Sequence, residues 1–342
     1  MTARIDRIPV ILLTGFLGSG KTTVLQHLLQ TEAFADTALV INELGDVGVD
    51  QELVRGASET MRLLENGCIC CGRSNDLAAT LGELFWDRLH RRVPRFARVV
   101  IESTGLADPG PVLDTLAADP LVAERFAWQG VVCTVDATEV ARTLDKRPES
   151  ARQVAMADVL LVTKRDRAEP SRIAELQRTL RTLNATAPQH VVANGEVAPA
   201  LLLEALHGNP GAGRATSVPL PGVGHRSRAG AHAHDPGIHT FTVRIDQAVG
   251  RAELRAALDA VLARCGRDLL RAKGILALRH EGEVAVQVVG TTCYPLVPLP
   301  ERTDAACTGH LVFIVAAADR ASARAREAEA RASIASVLGV TA

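Results

Sequence analysis

The residues best suited to chemistry begin at position 15. "GFLGSGKTT", residues 15–23, fits G-x-x-x-x-G-K-[ST] through Gly15, Gly20, Lys21 and Thr22. Glycines let backbone N–H groups wrap a phosphate chain, and a helix opening there adds its positive end. In that pattern the lysine reaches the outer phosphates and the threonine hydroxyl binds Mg²⁺. The competing reading is a glycine turn that binds nothing. A strand-like run before it and a 3.6-residue period after it (Val24, Leu25, Leu28) argue against that reading.

Two further clusters fit a nucleotide. "VVIESTG" places Glu102 at the end of an apolar run and Gly105 three residues on. A carboxylate there can hold Mg²⁺ or orient water, and the glycine lets the backbone approach a γ-phosphate. "LLVTKRD" places Thr163, Lys164 and Asp166 after another such run. A carboxylate at that edge accepts both guanine N1–H and the N2 amine, which adenine does not offer. Lys164 can lay its stem over the base. Behind a phosphate loop this order favours GTP over ATP.

A different chemistry sits between the first two clusters. "ENGCICCGRSNDL", residues 65–77, holds Cys68, Cys70 and Cys71, three of the chain's seven cysteines. In an extended chain Cys68 and Cys70 point one way and Cys71 the other, so a turn at Gly67 or Gly72 is needed to face all three to one ion. Three thiolates, or two with a carboxylate or histidine, suit Zn²⁺ or another soft-to-borderline cation. A closed structural zinc site wants four protein ligands, so the triplet reads as a labile site. Glu43 in "NELGDVGVD" is a candidate fourth ligand. A redox pair and inert packing are the alternatives, and adjacent cysteines pair poorly. Cys133, Cys265, Cys293 and Cys307 are scattered; Cys133, in "VVCTVD", reads as a buried small apolar residue.

The elements that must position these groups alternate. Strands are predicted over residues 8–13, 38–42, 98–102, 131–136, 158–163 and 190–192, with helices over 75–90 and 171–183. Near-continuous apolar strands separated by amphipathic helices imply an α/β fold, a doubly wound, mostly parallel sheet of the P-loop NTPase type. Residues 207–238 are rich in Gly, Pro and Ser and read as a flexible linker. They carry His225, His232 and His234, with His239 just beyond. His232 and His234 could share an ion, though a solvated polar linker explains them as well. Beyond the linker, strands over 240–245, 274–278, 284–289 and 311–315 and helices over 251–265 and 319–338 predict a smaller α+β domain. The division is therefore 1–206, 207–238 and 239–342.

Composition removes other classes. The chain has 342 residues, 47% hydrophobic and 23% charged, with a formal net charge of −1. That balance gives no reason to expect nucleic acid or an acidic membrane surface as partner. No apolar run approaches the ~20 residues that span a bilayer, and "MTARIDRIPV" has no signal-peptide core. The reading is a cytoplasmic protein whose thiols are reduced.

"GFLGSGKTT", "NELG", "ENGCICC", "ESTGLADPGP" and "TKRD", in this order, resemble the CobW-type family of P-loop GTPases, and "GIHTFTVRID" with "LLRAKGIL" resembles its C-terminal domain. The resemblance implies a GTP-dependent metal chaperone, with zinc the commonest cargo and cobalt or iron in some branches. It implies that Gly18, Ser19, Gly20, Lys21, Thr22 and Thr23 bind phosphate, and that Thr22 and Glu102 serve Mg²⁺. It further implies that Thr163, Lys164 and Asp166 read guanine. Cys68, Cys70 and Cys71, with Glu43, would handle the transferred metal for a client metalloprotein. Thr163 stands where the family usually has Asn, and Leu44 where Phe is common. No arginine finger in cis is identifiable, so slow turnover is expected. Two alternatives are a GTPase gating cofactor assembly, such as cobalamin, with structural cysteines, and a metal buffer with little nucleotide use. Homodimers are common among nucleotide-switch proteins, and no residue pattern here argues for one.

Overall fold

The computed structural model describes residues 7–42, 77–139, 144, 147–206, 237–299 and 309–339. Glu43, Cys68, Cys70, Cys71 and the histidines at 225, 232 and 234 lie outside the described residues. Among the described residues no helix is long and apolar enough to cross a membrane.

The first sheet is built from β1 (Ile8–Gly15), β2 (Thr37–Asn42), β3 (Arg98–Ser103), β4 (Phe126–Asp136), β5 (Val159–Thr163) and β6 (Gln189–Val191). Its strand order is β2-β3-β1-β4-β5-β6, every pairing parallel. The helices α1 (Lys21–Leu29), α2 (Leu77–Leu89), α3 (Pro109–Ala118), α4 (Pro120–Arg125), α5 (Pro148–Met156), α6 (Pro170–Leu183) and α7 (Pro199–Leu206) are interleaved with the strands. The period-2 alternation of each strand splits its side chains between two cores. Val10, Leu12, Ile101, Leu160 and Val162 join the cluster that includes α2, α3, α5 and α6. Ile11, Leu13, Val100, Val159 and Leu161 join the one that includes α1 and α7. Coverage on both faces is why these strands read as continuous apolar runs. β4 begins five residues before the predicted start, and a register shift opposite Val10 and Ile11 bulges it there and hides its periodicity.

The second sheet is antiparallel, in the order β10-β9-β8-β12-β7 with β11 beside β9. It comprises β7 (Ile238–Ile245), β8 (Leu269–Leu278), β9 (Gly282–Val289), β10 (Thr292–Cys293), β11 (Val297–Pro298) and β12 (Gly309–Ala316). Helices α8 (Arg251–Cys265) and α9 (Arg320–Leu338) cover one face, packing on Val243, Ala272, Phe313 and Val315. The other face is not left to water. Ile238, Leu270, Val289 and Ile314 belong to the same buried cluster as α5 and the parallel sheet.

A buried ion pair lies in that shared core. Arg271 of β8 and Asp158, just before β5, are 1% and 3% exposed and hydrogen-bonded to each other. Arg271 Nη1 also donates to the Met156 carbonyl at 2.8 Å. Asp158 accepts from Val131 N at 2.9 Å and from Gln287 Nε2 at 3.0 Å. Burial works to raise the Asp158 carboxyl, but Arg271, Lys273 and the hydrogen bonds outweigh it and hold the group below the usual carboxylate range. β8 starts at Leu269 rather than 274 because Arg271 and Lys273, which break the apolar pattern, belong to this interface.

Candidate nucleotide site

The phosphate loop leaves β1 at Gly15 and enters α1 at Lys21. Gly15 has φ 141°, and a Cβ on it would lie 2.3 Å from Thr134 Oγ1 and 2.4 Å from the Thr134 carbonyl. Any side chain there pushes the loop off β4. The helix is capped by Gly20, which offers no side-chain acceptor. The cap residue therefore does not compete for the first N–H groups of α1, and helix N-termini of this kind bind anions.

Side chains behind the loop fix its shape. Ser19 Oγ and Thr134 Oγ1 are 2.7 Å apart, and Thr134 Oγ1 donates to the Thr14 carbonyl at 3.3 Å. Thr163 Oγ1 donates to the carbonyls of Ser19 (2.7 Å) and Val135 (3.2 Å). Thr163 is 3% exposed, so its hydroxyl braces the loop, a short-range task that an asparagine amide would not fill in the same way. Lys21 Nζ rests on the carbonyls of Gly15 at 2.9 Å and Phe16 at 3.2 Å. This holds a nearly buried ammonium at the loop. Cys133, 1% exposed beneath it, has its thiol pushed up to about 12 by burial, with the Lys21 charge opposing. It stays protonated and unreactive, as its apolar surroundings predict.

The two groups suited to Mg²⁺ converge from positions 80 residues apart. Thr22 Oγ1 donates to Glu102 Oε1 at 3.1 Å, and Glu102 is 7% exposed at the end of β3. Parallel pairing does this: Leu13 is in register with Glu102, which sets the strand end beside the loop. Mg²⁺ is usually held by one or two carboxylates plus phosphate and water, so a hydroxyl and a carboxylate at this distance fit the ion. When bound, the ion would neutralise charge on the outer phosphates.

Gly105 follows on the turn after β3. Its backbone lies so close to the loop that a Cβ would stand 2.5 Å from Leu17 N. Glu102, Gly105, Lys21 and Thr22 are thus brought to one place.

The opposite flank carries the base-recognition candidates. Lys164 adopts φ 58° and its ammonium pairs with Asp136 Oδ2 at 2.6 Å. Asp136 also accepts from Thr138 N and Oγ1, each at 2.7 Å. Burial raises the Asp136 carboxyl, but these hydrogen bonds prevail and lower it. Asp136 aims Lys164, a role that sequence motifs alone do not assign; its signal is the D-x-T turn at a strand end. Asp166 lies on a 3-10 turn (Arg165–Arg167) with its carboxylate exposed. A second unpredicted contributor is the Asn194–Gly195 turn after β6, signalled by an Asn-Gly pair. Gly195 has φ 78°, and a Cβ there would sit 2.8 Å from the Thr23 backbone. A cavity of about 300 Å³ beside the loop is lined by Leu17, Ser19, Thr134, Asp136, Gln153 and Lys164.

No three His, Cys, Asp or Glu side chains among the described residues are grouped to hold a metal ion. Asn42, the last described residue before Glu43, pairs with Ser103, the neighbour of Glu102. The described part of β2 therefore ends beside the Thr22–Glu102 pair.

Both domains match known families. Residues 9–191 match the "CobW/HypB/UreG, nucleotide-binding domain" model, and residues 238–330 match the "Cobalamin synthesis protein cobW C-terminal domain" model. The chain is 34% identical over 274 residues to the zinc chaperone YjiA of Escherichia coli, covering 80% of this chain and 83% of that one. It is 29% identical to the zinc chaperone CobW of a Sinorhizobium species, with the same shares covered. The solved structure of Zn(II)-bound YjiA GTPase from E. coli superposes with a TM-score of 0.67 at 28% identity, covering 97% of this chain and 99% of that one. The chain belongs to the CobW/HypB/UreG family of P-loop GTPases and carries the CobW C-terminal domain.

Proposed function

We propose that this GTPase binds GTP with Mg²⁺ and uses the bound nucleotide to control a zinc site made by Cys68, Cys70 and Cys71 with Glu43, from which the ion passes to a client metalloprotein. The observation that carries this reading is the Thr22–Glu102 pair beside the strand end that leads into Glu43. The γ-phosphate contact near Gly105 and the strand end that leads into Glu43 then share one end of the sheet. Coupling of this kind is reciprocal, so each ligand would change the affinity of the other by the same factor. Lys164 and Asp166 select guanine, the exposed carboxylate accepting both of its edge donors. The relatives named as zinc chaperones support zinc over cobalt or iron as the ion.

Replacing Cys68, Cys70 and Cys71 by serine tests the metal assignment. A solved zinc-bound form of YjiA has one glutamate and two cysteines replaced by alanine, so in that protein zinc is held in their absence. Total zinc is therefore a poor readout. We expect the serine variants to lose the tightest zinc equivalent in a competition with a chromophoric chelator while GTP affinity stays within about twofold, because neutral hydroxyls are weak zinc ligands. Undiminished tight binding would remove the cysteines from the site and favour a structural or buffering role.

A further inference from the structure

The turn after β3 is held by a side chain of α5 that also lines the cavity beside the phosphate loop. Gln153, on α5, is completely buried. Its Nε2 donates to the carbonyls of both Gly105 (3.2 Å) and Ala107 (3.0 Å). One amide thus pins the turn on both sides of Leu106, whose side chain is exposed. The neighbouring Arg152 adds an ion pair to Asp108, Nη1 to Oδ2 at 3.0 Å, and Asp108 caps α3.

The mount is rigid. Asn184 Nδ2 donates to the carbonyls of Val154, Ala155 and Ala157 at 2.9–3.1 Å, and Arg271 of the C-terminal domain takes that of Met156. A side chain on a fixed helix can hold a mobile peptide in a chosen orientation at little entropic cost. Only the amide can do it here. Two carbonyls face Nε2, so a carboxylate at this position would repel both, and an apolar side chain would leave both buried and unpaired.

We propose that Gln153 is a positioning residue for γ-phosphate recognition: it orients the Gly105 peptide against the phosphate loop and so sets the preference for GTP over GDP. This inference rests on the reading of Gly105 as the γ-phosphate contact. The distinction from a merely structural role lies in the nucleotide ratio. GDP has no γ-phosphate, so a loss confined to the turn spares it.

The experiment measures dissociation constants for a non-hydrolysable GTP analogue and for GDP, with Mg²⁺, on the full chain. The proteins are wild type, Gln153→Met, Gln153→Glu and Gly105→Ala; kcat and KM for GTP are measured in parallel. Gln153→Met keeps the volume and removes the donor. We expect its GTP-analogue affinity to fall about tenfold or more, GDP affinity to change less than about twofold, and kcat to fall with the analogue affinity. Gln153→Glu gives the same pattern, and it decides the matter where the methionine variant does not fold. A folded Gln153 variant with the wild-type GTP-to-GDP ratio overturns the inference. If Gly105→Ala also leaves that ratio unchanged, the γ-phosphate reading of the turn fails too; if only Gly105→Ala alters it, the reading stands and Gln153 has no part in it.

Discussion

Lys21→Ala will lose nucleotide binding by at least about 100-fold, and GTP hydrolysis with it. The ammonium is the only side-chain charge within the loop, and its charge-assisted hydrogen bonds to phosphate oxygens are each worth about 1.5–3 kcal/mol. Two of them convert to roughly 10²–10⁴ in Kd. The substitution also frees the carbonyls of Gly15 and Phe16, which now accept from Nζ at 2.9 and 3.2 Å. Some loss of loop order is therefore expected without nucleotide, and a circular-dichroism melt separates it from the binding loss. Calorimetric titration with GTP·Mg²⁺ reads the effect. An unchanged affinity would mean that these residues form a glycine turn and not a phosphate site.

The second large effect lies far from the nucleotide. Arg271→Ala leaves Asp158 buried, ionised and short of its strongest partner. Breaking one side of a buried pair typically costs about 3–5 kcal/mol. At roughly 2–4 °C per kcal/mol for a chain of this size class, Tm should fall by about 10 °C, and the two domains should melt in separate steps. Arg271→Met combined with Asp158→Asn should recover much of that loss, since neutral groups of like volume remove the stranded charge. A melt of Arg271→Ala within about 1 °C of wild type would show the pair to be solvated and the interface loose. The pH dependence has a defined sign. The Asp158 carboxyl is depressed in the folded protein, so its contribution is present above the ordinary carboxylate range and is lost as pH falls through the depressed value. The wild type should lose this increment in acid; the double variant should not.

The sites differ in how readable they were. The phosphate loop is legible because its chemistry is local: three glycines, a lysine and a threonine within nine positions impose both backbone and charge. The parallel strands are legible because burial on both faces removes polar residues altogether. What local patterns could not carry is pairing. Thr22 and Glu102 meet only because β1 and β3 are adjacent in the sheet although β2 lies between them in the chain. Arg271 and Lys273 interrupt an apolar run, which argues for a strand end; their partner, Asp158, is 113 positions away from Arg271. Gln153 sits in an ordinary amphipathic helix, and only the folded turn of residues 104–107 shows why an amide is there. The shared core had no local signature either. Ile314 alternates with Phe313 and Val315, which face α8 and α9, a pattern that a sheet with one solvated face would also give.

These features make one account. On the proposed reading the N-terminus of α1 and Lys21 would gather phosphate, Thr22 and Glu102 would hold its Mg²⁺, and Gln153 would hold the turn that meets the γ-phosphate. The segment with Glu43 and the three cysteines begins one residue beyond a strand paired to that turn's own strand. The account stands on coupling between the two ligands. The measurement that tests it most directly is a competitive Zn²⁺ titration of the reduced full chain without nucleotide, with GDP·Mg²⁺ and with a non-hydrolysable GTP analogue and Mg²⁺. The account predicts a shift in zinc affinity of at least about tenfold between the GDP and GTP-analogue states, some 1.4 kcal/mol of coupling. Three coincident curves would contradict it and leave the cysteines as a passive zinc knuckle on a GTPase with another purpose.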